Sequence, residues 1–175
     1  MEHKVEEIKL KCGAKGLLID VPGAPVAQME IWFRGGDSYT EGGEKIEAAH
    51  LMEHLAFGAN TKQASSEEVS RYVSQNGAWS NAHTSRKFLS YEIGSPDFDL
   101  KRLLEQLVLQ VTKPKFLEEE FKAEFGNVEE EFRGRSNDKW GELGSAMMQK
   151  FGWDYYESDL ERLRLMKNVS LEDVK

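Results

Sequence analysis

Cysteine is almost absent from this sequence, since Cys12 is the only one. A single cysteine excludes an internal disulfide, and such low use is typical of a reducing compartment. No apolar run approaches the roughly 18 residues that a membrane-spanning helix needs. The N-terminal stretch MEHKVEEIKLKCG is charged and lacks the apolar segment of a signal peptide. We therefore predict a cytoplasmic protein with no membrane partner.

Basic side chains are also scarce relative to acidic ones. The chain has 23 Lys and Arg residues against 31 Asp and Glu residues, which gives a formal net charge of −8. Nucleic-acid binding depends on clustered basic side chains that displace counterions from phosphates, so this composition argues against a nucleic-acid partner. Motifs for a phosphate-binding loop and for a Ser or Cys nucleophile are absent as well.

What the sequence does contain is enough apolar side chain for one domain, because 39% of its 175 residues are hydrophobic. Apolar and polar residues alternate over 5–11, and a second extended run at 16–22 follows Gly13 and begins with Gly16, which together predict a β-hairpin. Extended runs follow at 27–36 and, as two short strands, within 78–94. Helical spacing is found at about 46–57, 65–77, 95–114, 115–134, 140–152 and 157–168.

This order of elements predicts an α+β fold, in which helices pack on one face of a largely antiparallel sheet. In the third predicted helix, one apolar face is expected to contain Leu103, Leu104, Leu107, Val108 and Val111. There is no internal repeat, linker or low-complexity segment, so we predict a single domain over residues 1–175.

One apolar helix contains three polar groups on the same side. In AAHLMEHLAFG, residues 48–58, His50 and His54 are one helical turn apart and Glu53 lies beside them. Two imidazoles at this spacing can bind one Zn²⁺, and a neighbouring carboxylate can take a proton from a zinc-bound water. A solvated helix with two His residues is the alternative, but apolar neighbours on nearly every side favour burial. Because unpaired buried polar groups are costly, a metal or a hydrogen-bonded cluster is favoured.

The order His-x-x-Glu-His is that of the inverzincin motif. The longer stretch GGEKIEAAHLMEHLAFGANTK, residues 42–62, resembles the pitrilysin-type metallopeptidases of family M16, which include insulin-degrading enzyme and the mitochondrial processing peptidase. This resemblance implies that His50 and His54 bind zinc and that Glu53 is the general base. It also implies the metallohydrolase fold of the mitochondrial processing peptidase and LuxS.

A catalytic zinc needs a third protein ligand. The family takes it from a glutamate on a later helix, at a spacing that Glu131 matches, 77 residues after His54. Glu130, one residue earlier, is the alternative. Glu124 matches a second glutamate of the insulin-degrading branch, which would orient a ligand or assist proton transfer. Zinc is the expected metal, although Mn²⁺ or Co²⁺ could occupy the same ligands in vitro.

A second stretch, NGAWSNAHTSRKFLSYEI at residues 76–93, resembles the edge strand of the family. By this resemblance, Asn81 and Ala82 match an Asn-Ala pair whose strand binds the extended substrate through its backbone. Without the neighbouring motif, the two residues would be interpreted as an ordinary strand end. His83 is left out of the predicted metal site, because a lone His at a strand end is more often solvated.

The family's proteases are larger than this chain and enclose a chamber with several domains of this type. We therefore expect a single domain, truncated at its C-terminus relative to the family, that forms a homodimer or binds a second M16-type chain. The predicted activity is zinc-dependent hydrolysis of short or unfolded peptides. The alternative is a non-catalytic zinc- or peptide-binding subunit or fragment that needs a partner chain. The presence of every motif residue favours the enzyme.

Overall fold

Five strands form two antiparallel sheets in the computed structural model, which describes residues 2–40, 43–58, 65–75, 77–151 and 157–175. The first sheet is the predicted hairpin, β1 (Lys4–Lys9) and β2 (Lys15–Asp20). The second contains β3 (Val26–Phe33), β4 (Trp79–Thr84) and β5 (Leu89–Pro96) in the order β3-β5-β4. In the described residues, β4 therefore lies at an edge of its sheet.

Seven helices follow or interrupt the strands in the described part of the chain. They are α1 (Ala48–Phe57), α2 (Ser66–Gln75), α3 (Leu100–Thr112), α4 (Glu118–Ser136), α5 (Lys139–Lys150), α6 (Asp159–Met166) and α7 (Leu171–Val174). Short 3-10 helices lie at Asp37–Tyr39, Gly43–Lys45 and Asp97–Asp99. This confirms the predicted α+β class and six of the helices, whereas four-residue α7 is too short to show a helical period in the sequence.

Helix α1 lies between two hydrophobic clusters of the described residues. Its Leu51 and Leu55 pack into a cluster formed with α4, α6 and α7. Its Ala49 and Ala56 pack into a second cluster formed with α2, α3 and the sheet. Both sides of α1 are therefore buried, as its apolar sequence predicted. Its polar groups consequently lie between packed helices and the sheet.

The predicted apolar face of α3 is correct only in part. Leu103 and Leu107 are buried against the sheet, but Leu104 is 41% exposed and Val108 is 39% exposed. Successive residues of an α-helix point about 100° apart, so a sheet that contacts α3 from one side covers the first pair and leaves the second pair in solvent. The start of α3 is later than predicted, because residues 95 and 96 complete β5.

Exposed apolar side chains include two groups that are close together in the sequence. The β1–β2 hairpin exposes Val5, Leu17 and Ile19, and α5, which contains no buried residue, exposes Trp140, with exposed Phe151 directly after its end. None of the described helices combines the length and apolar character needed to cross a membrane.

Candidate metal centre

Helix α1 brings two imidazoles to a carboxylate of α4. The Nε2 atom of His50 lies 3.4 Å from Oε2 of Glu131, and Nε2 of His54 lies 3.5 Å from the same oxygen. The two imidazole rings meet edge to face with their centroids 4.9 Å apart. One candidate ligand atom from each of the three side chains lies within 4.8 Å of the other two. The structure thus brings together the three residues that the sequence predicted as metal ligands.

This geometry fits a tetrahedral metal ion. Ligand atoms about 2.0 to 2.1 Å from a tetrahedral Zn²⁺ lie about 3.3 Å from one another. The Nε2–Oε2 distances of 3.4 and 3.5 Å require only small shifts to reach that arrangement. Two imidazoles and one carboxylate are also the donor set of a catalytic zinc site, in which a fourth position stays open. The residues present therefore fit zinc.

Two further carboxylates lie behind the imidazoles. Oε2 of Glu47 is 3.2 Å from Nδ1 of His50, and Oε2 of Glu124 is 3.2 Å from Nδ1 of His54. Each carboxylate can accept a hydrogen bond from the Nδ1–H of its imidazole, so that Nε2 faces Glu131 and would offer its lone pair to a metal ion bound between them. The amide of Asn127 donates to Glu124 at 3.1 Å. The predicted position of Glu124 beside the site is therefore observed.

The two glutamates considered for the third ligand point in different directions. Glu131 directs Oε2 at the imidazoles, and its Oε1 pairs with Arg135 at 2.7 Å. The side chain of Glu130 is 81% exposed and lies 3.8 Å from Arg133 on the outer face of α4. Only Glu131 is thus near His50 and His54.

The close approach of these groups shifts their pKa values in the metal-free chain. Burial lowers the pKa of His54, but hydrogen bonds to Glu124 and Glu131 outweigh it and raise that pKa to about 9. The pKa of His50 is likewise raised by Glu131 and Glu47 against the effect of burial. Hydrogen bonds from His50 and then His54 hold the pKa of Glu131 well below its ordinary value. Without a metal, the two imidazoles therefore favour their protonated, cationic form, and Glu131 favours its ionised form.

Glu53 lies on the same helix but has a different partner. Its half-buried carboxylate accepts a hydrogen bond from the hydroxyl of Thr84, the last residue of β4. This bond holds Glu53 between the metal-binding groups of α1 and the edge strand. The predicted general base is thus anchored to the predicted substrate-binding strand.

The predicted substrate residues lie on opposite faces of β4. Asn81 is exposed, and its amide donates to Glu92 of β5 at 3.1 Å. Ala82 is half-buried and packs against the cluster that contains α2 and α3. His83 is exposed, and it is not among the described residues whose ligand atoms converge on the candidate metal position.

Three further residues at this site were not predicted from the sequence. Glu47 and Thr84 contact His50 and Glu53, and Arg162 binds Glu47 from helix α6. Glu47 could have been found, because residues i and i+3 share a helix face. Nothing in the local pattern of Arg162 distinguishes it from a surface arginine.

Comparisons with known proteins identify relatives of the chain. The profile of a family described as insulinase, peptidase family M16, matches residues 16–154. Residues 59–62 of the stretch that carries the sequence resemblance lie outside the described residues. No curated protein sequence matches the chain.

Two solved structures share the fold. A protease from Helicobacter pylori matches with a TM-score of 0.84 and 27% identity over 99% of this chain and 42% of its own. Pitrilysin matches with a TM-score of 0.73 and 19% identity over 85% of this chain and 15% of its own. The chain therefore spans less than half the length of either structure.

Proposed function

Since this chain belongs to the insulinase family, peptidase family M16, we propose that it is a zinc-dependent endopeptidase domain that hydrolyses short or unfolded peptides. The convergence of His50, His54 and Glu131 on one point carries this proposal, because that donor set suits a catalytic zinc. The single-domain organisation over residues 1–175 and the cytoplasmic location stay predictions.

Each side chain at the site has a distinct role in the proposed hydrolysis. His50, His54 and Glu131 hold the metal, and the carboxylates behind the imidazoles fix the Nδ1 protons. Zinc, when bound, supplies a water of lowered pKa and polarises a carbonyl group. The Glu53 carboxylate would take a proton from the attacking water and deliver it to the nitrogen of the leaving amine, and the Thr84 hydroxyl keeps that carboxylate oriented.

Substrate binding is proposed for the free edge of β4. The described sheet places no strand on the side of β4 away from β5, so its backbone can pair with an extended peptide. Asn81 and Ala82 lie in the middle of this strand, and Thr84 at its end reaches Glu53. A peptide on this edge would lie close to the proposed general base.

A second candidate function is a non-catalytic zinc- or peptide-binding subunit. The exposed apolar side chains of the β1–β2 hairpin and of α5 favour it, because such surface is typical of proteins that associate. In either case we propose a homodimer or a complex with a second M16-type chain.

Glu53→Gln separates the two functions. Wild-type and variant protein are incubated with a mixture of internally quenched peptides, and the zinc content of both is measured. If both bind zinc and only wild type cleaves, the peptidase is supported; if both bind zinc and neither cleaves, the binding subunit is supported. His50→Ala is expected to lose the metal, and a full equivalent of zinc in this variant would contradict the ligand assignment.

A further inference from the structure

A buried ion pair lies directly behind the candidate metal centre. The side chain of Glu47 is fully buried, at 0% exposure. One of its oxygens is 3.2 Å from Nδ1 of His50, and the other accepts a hydrogen bond from Nε of Arg162. Arg162 also lies 3.6 Å from a carboxylate oxygen of Asp37. Helix α6 is thus connected to His50 through a single carboxylate.

Stability alone is a weak explanation for this pair. Removing a carboxylate and a guanidinium from water costs several kcal/mol per ion, and apolar residues of similar volume often replace such pairs without loss of stability. Glu47, however, has one oxygen for each partner. Arg162 compensates its charge and fixes its position, so the second oxygen is directed at the His50 ring. With Nδ1 held in this way, Nε2 faces Glu131.

We propose that Glu47 and Arg162 are positioning residues of the metal centre. Arg162 holds the Glu47 carboxylate, and that carboxylate aims Nε2 of His50 at the metal. The inference rests on the proposed zinc site but goes beyond its ligands. It also makes metal affinity depend on the docking of α6, because two events that share a residue network influence each other reciprocally.

The test compares zinc affinities in competition with a chelating dye. The variants are Glu47→Met, Arg162→Met, the double variant and the conservative Glu47→Gln. Loss of a residue that hydrogen-bonds to a metal-binding histidine typically weakens metal binding about 10- to 100-fold. We expect such a loss in both single Met variants and a smaller loss in Glu47→Gln, whose amide oxygen can still accept a hydrogen bond from Nδ1–H of His50.

The double variant separates positioning from stability. It removes the charge of Glu47 together with that of Arg162, so we expect it to recover part of the thermal stability that Arg162→Met loses, since only Asp37 remains without its cation. Its zinc affinity should stay low, because His50 still lacks an acceptor. The visible absorption of bound Co²⁺ should change in the same variants, since it reports the geometry of the ligands.

Arg164→Met is the matched control. Arg164 is on the same helix, and its guanidinium pairs with Glu161 at 2.6 Å on the surface. This variant should bind zinc as wild type does.

Zinc affinity equal to that of wild type in folded Glu47→Met and in the double variant would overturn the positioning role and leave the metal site intact. Failure of the wild-type chain to bind zinc would overturn the metal site itself. If Arg162→Met does not fold, Glu47→Met, Glu47→Gln and the double variant decide.

Discussion

At the scale of single residues, Glu131 uses its two carboxylate oxygens for different partners. Oε2 faces both imidazoles, and Oε1 pairs with Arg135 at 2.7 Å. The guanidinium therefore fixes the carboxylate so that one oxygen is available for a metal. Such a division suits a ligand that binds through a single oxygen.

Glu131→Gln should lower zinc affinity strongly, because a neutral amide replaces an anionic ligand. Glu130→Gln is the matched control, since the Glu130 side chain is 81% exposed and should not affect binding. Both affinities are measured by chelator competition. The opposite ranking would show that the third ligand is Glu130.

Thr84→Val should reduce peptide hydrolysis without removing zinc. The substitution keeps the side-chain shape but removes the hydroxyl that donates to Glu53. Loss of a hydrogen bond to a charged group costs about 1.5 to 3 kcal/mol, so kcat should fall on the order of 10-fold or more. Thr112→Val is the control, because Thr112 is exposed at the end of α3 and its hydroxyl donates to the backbone carbonyl of Val108, away from the candidate site. Unchanged kcat in Thr84→Val would refute the anchoring role.

Helical spacing alone predicted only that His50 and His54 share one face of α1. Glu131 was implied by the resemblance to the M16 family, with Glu130 as the alternative, and the structure brings Glu131 to the two imidazoles. Arg162 could not be predicted in this way. Its contact with Glu47 joins two residues that are 115 positions apart in the sequence and depends on how α6 packs against the rest of the chain. The local periodicity of the sequence does not contain that information.

At the scale of elements, periodicity predicted where strands and helices form because it reflects local chain geometry. It did not predict which face of a helix is covered. In α3, Leu103 and Leu104 are both apolar, yet only Leu103 contacts the core. The position of the sheet determines that difference, and the sheet is assembled from strands distant in sequence.

Leu103→Ala and Leu104→Ala should therefore differ in stability. Leu103 is 0% exposed, and truncating a buried leucine costs about 2 to 5 kcal/mol. Leu104 is 41% exposed, and its truncation should cost roughly 0.5 kcal/mol or less. Urea unfolding followed by circular dichroism measures both values. Equal losses would contradict the observed orientation of α3.

An ion pair that responds to pH connects Asp173 of helix α7 to Lys45 of the 3-10 helix Gly43–Lys45. Asp173 accepts a hydrogen bond from Lys45, and this bond, followed by one from the backbone of Ser170, lowers the Asp173 pKa from 3.8 to about 2. A folded-state pKa below the ordinary value means that the contribution to stability is present above about pH 4 and is lost as pH falls through about 2.

Asp173→Asn should therefore be less stable than wild type at neutral pH, and the difference should shrink between about pH 4 and pH 2. The free energy of unfolding, measured across this range, tests the expectation. Glu172→Gln is the control, because Glu172 pairs only with neighbouring Lys175 on the surface. A difference between Asp173→Asn and wild type that is independent of pH would contradict the role of the ion pair.

At the scale of the whole molecule, the metal-binding side and the exposed apolar surface belong to different elements. The candidate ligands lie on α1 and α4, which both have buried faces, whereas the β1–β2 hairpin is exposed along nearly its whole length. Alternation in the sequence correctly predicted the hairpin. It could not predict that the apolar side chains of the hairpin are exposed, because an extended apolar pattern does not distinguish residues that pack in the core from residues on the surface.

If the hairpin forms the proposed interface, charge on it should weaken association. Leu17 and Ile19 are 65% and 58% exposed and lie two residues apart, so they point to the same side of β2. We expect wild-type protein to sediment as a dimer, and the Leu17→Glu/Ile19→Glu double variant to dissociate with Kd raised on the order of tenfold or more. Zinc affinity should be unchanged, because both side chains are exposed and neither is a candidate ligand.

Phe98→Asp is the control for this experiment, since Phe98 is 77% exposed but lies outside the hairpin. It should leave the sedimentation of the dimer unaltered. A wild-type chain that sediments as a monomer and cleaves peptides at full rate would show that no partner is needed. In that case the open edge of β4 alone must bind the substrate beside Glu53, and substitutions along 79–84 would become the decisive test of binding.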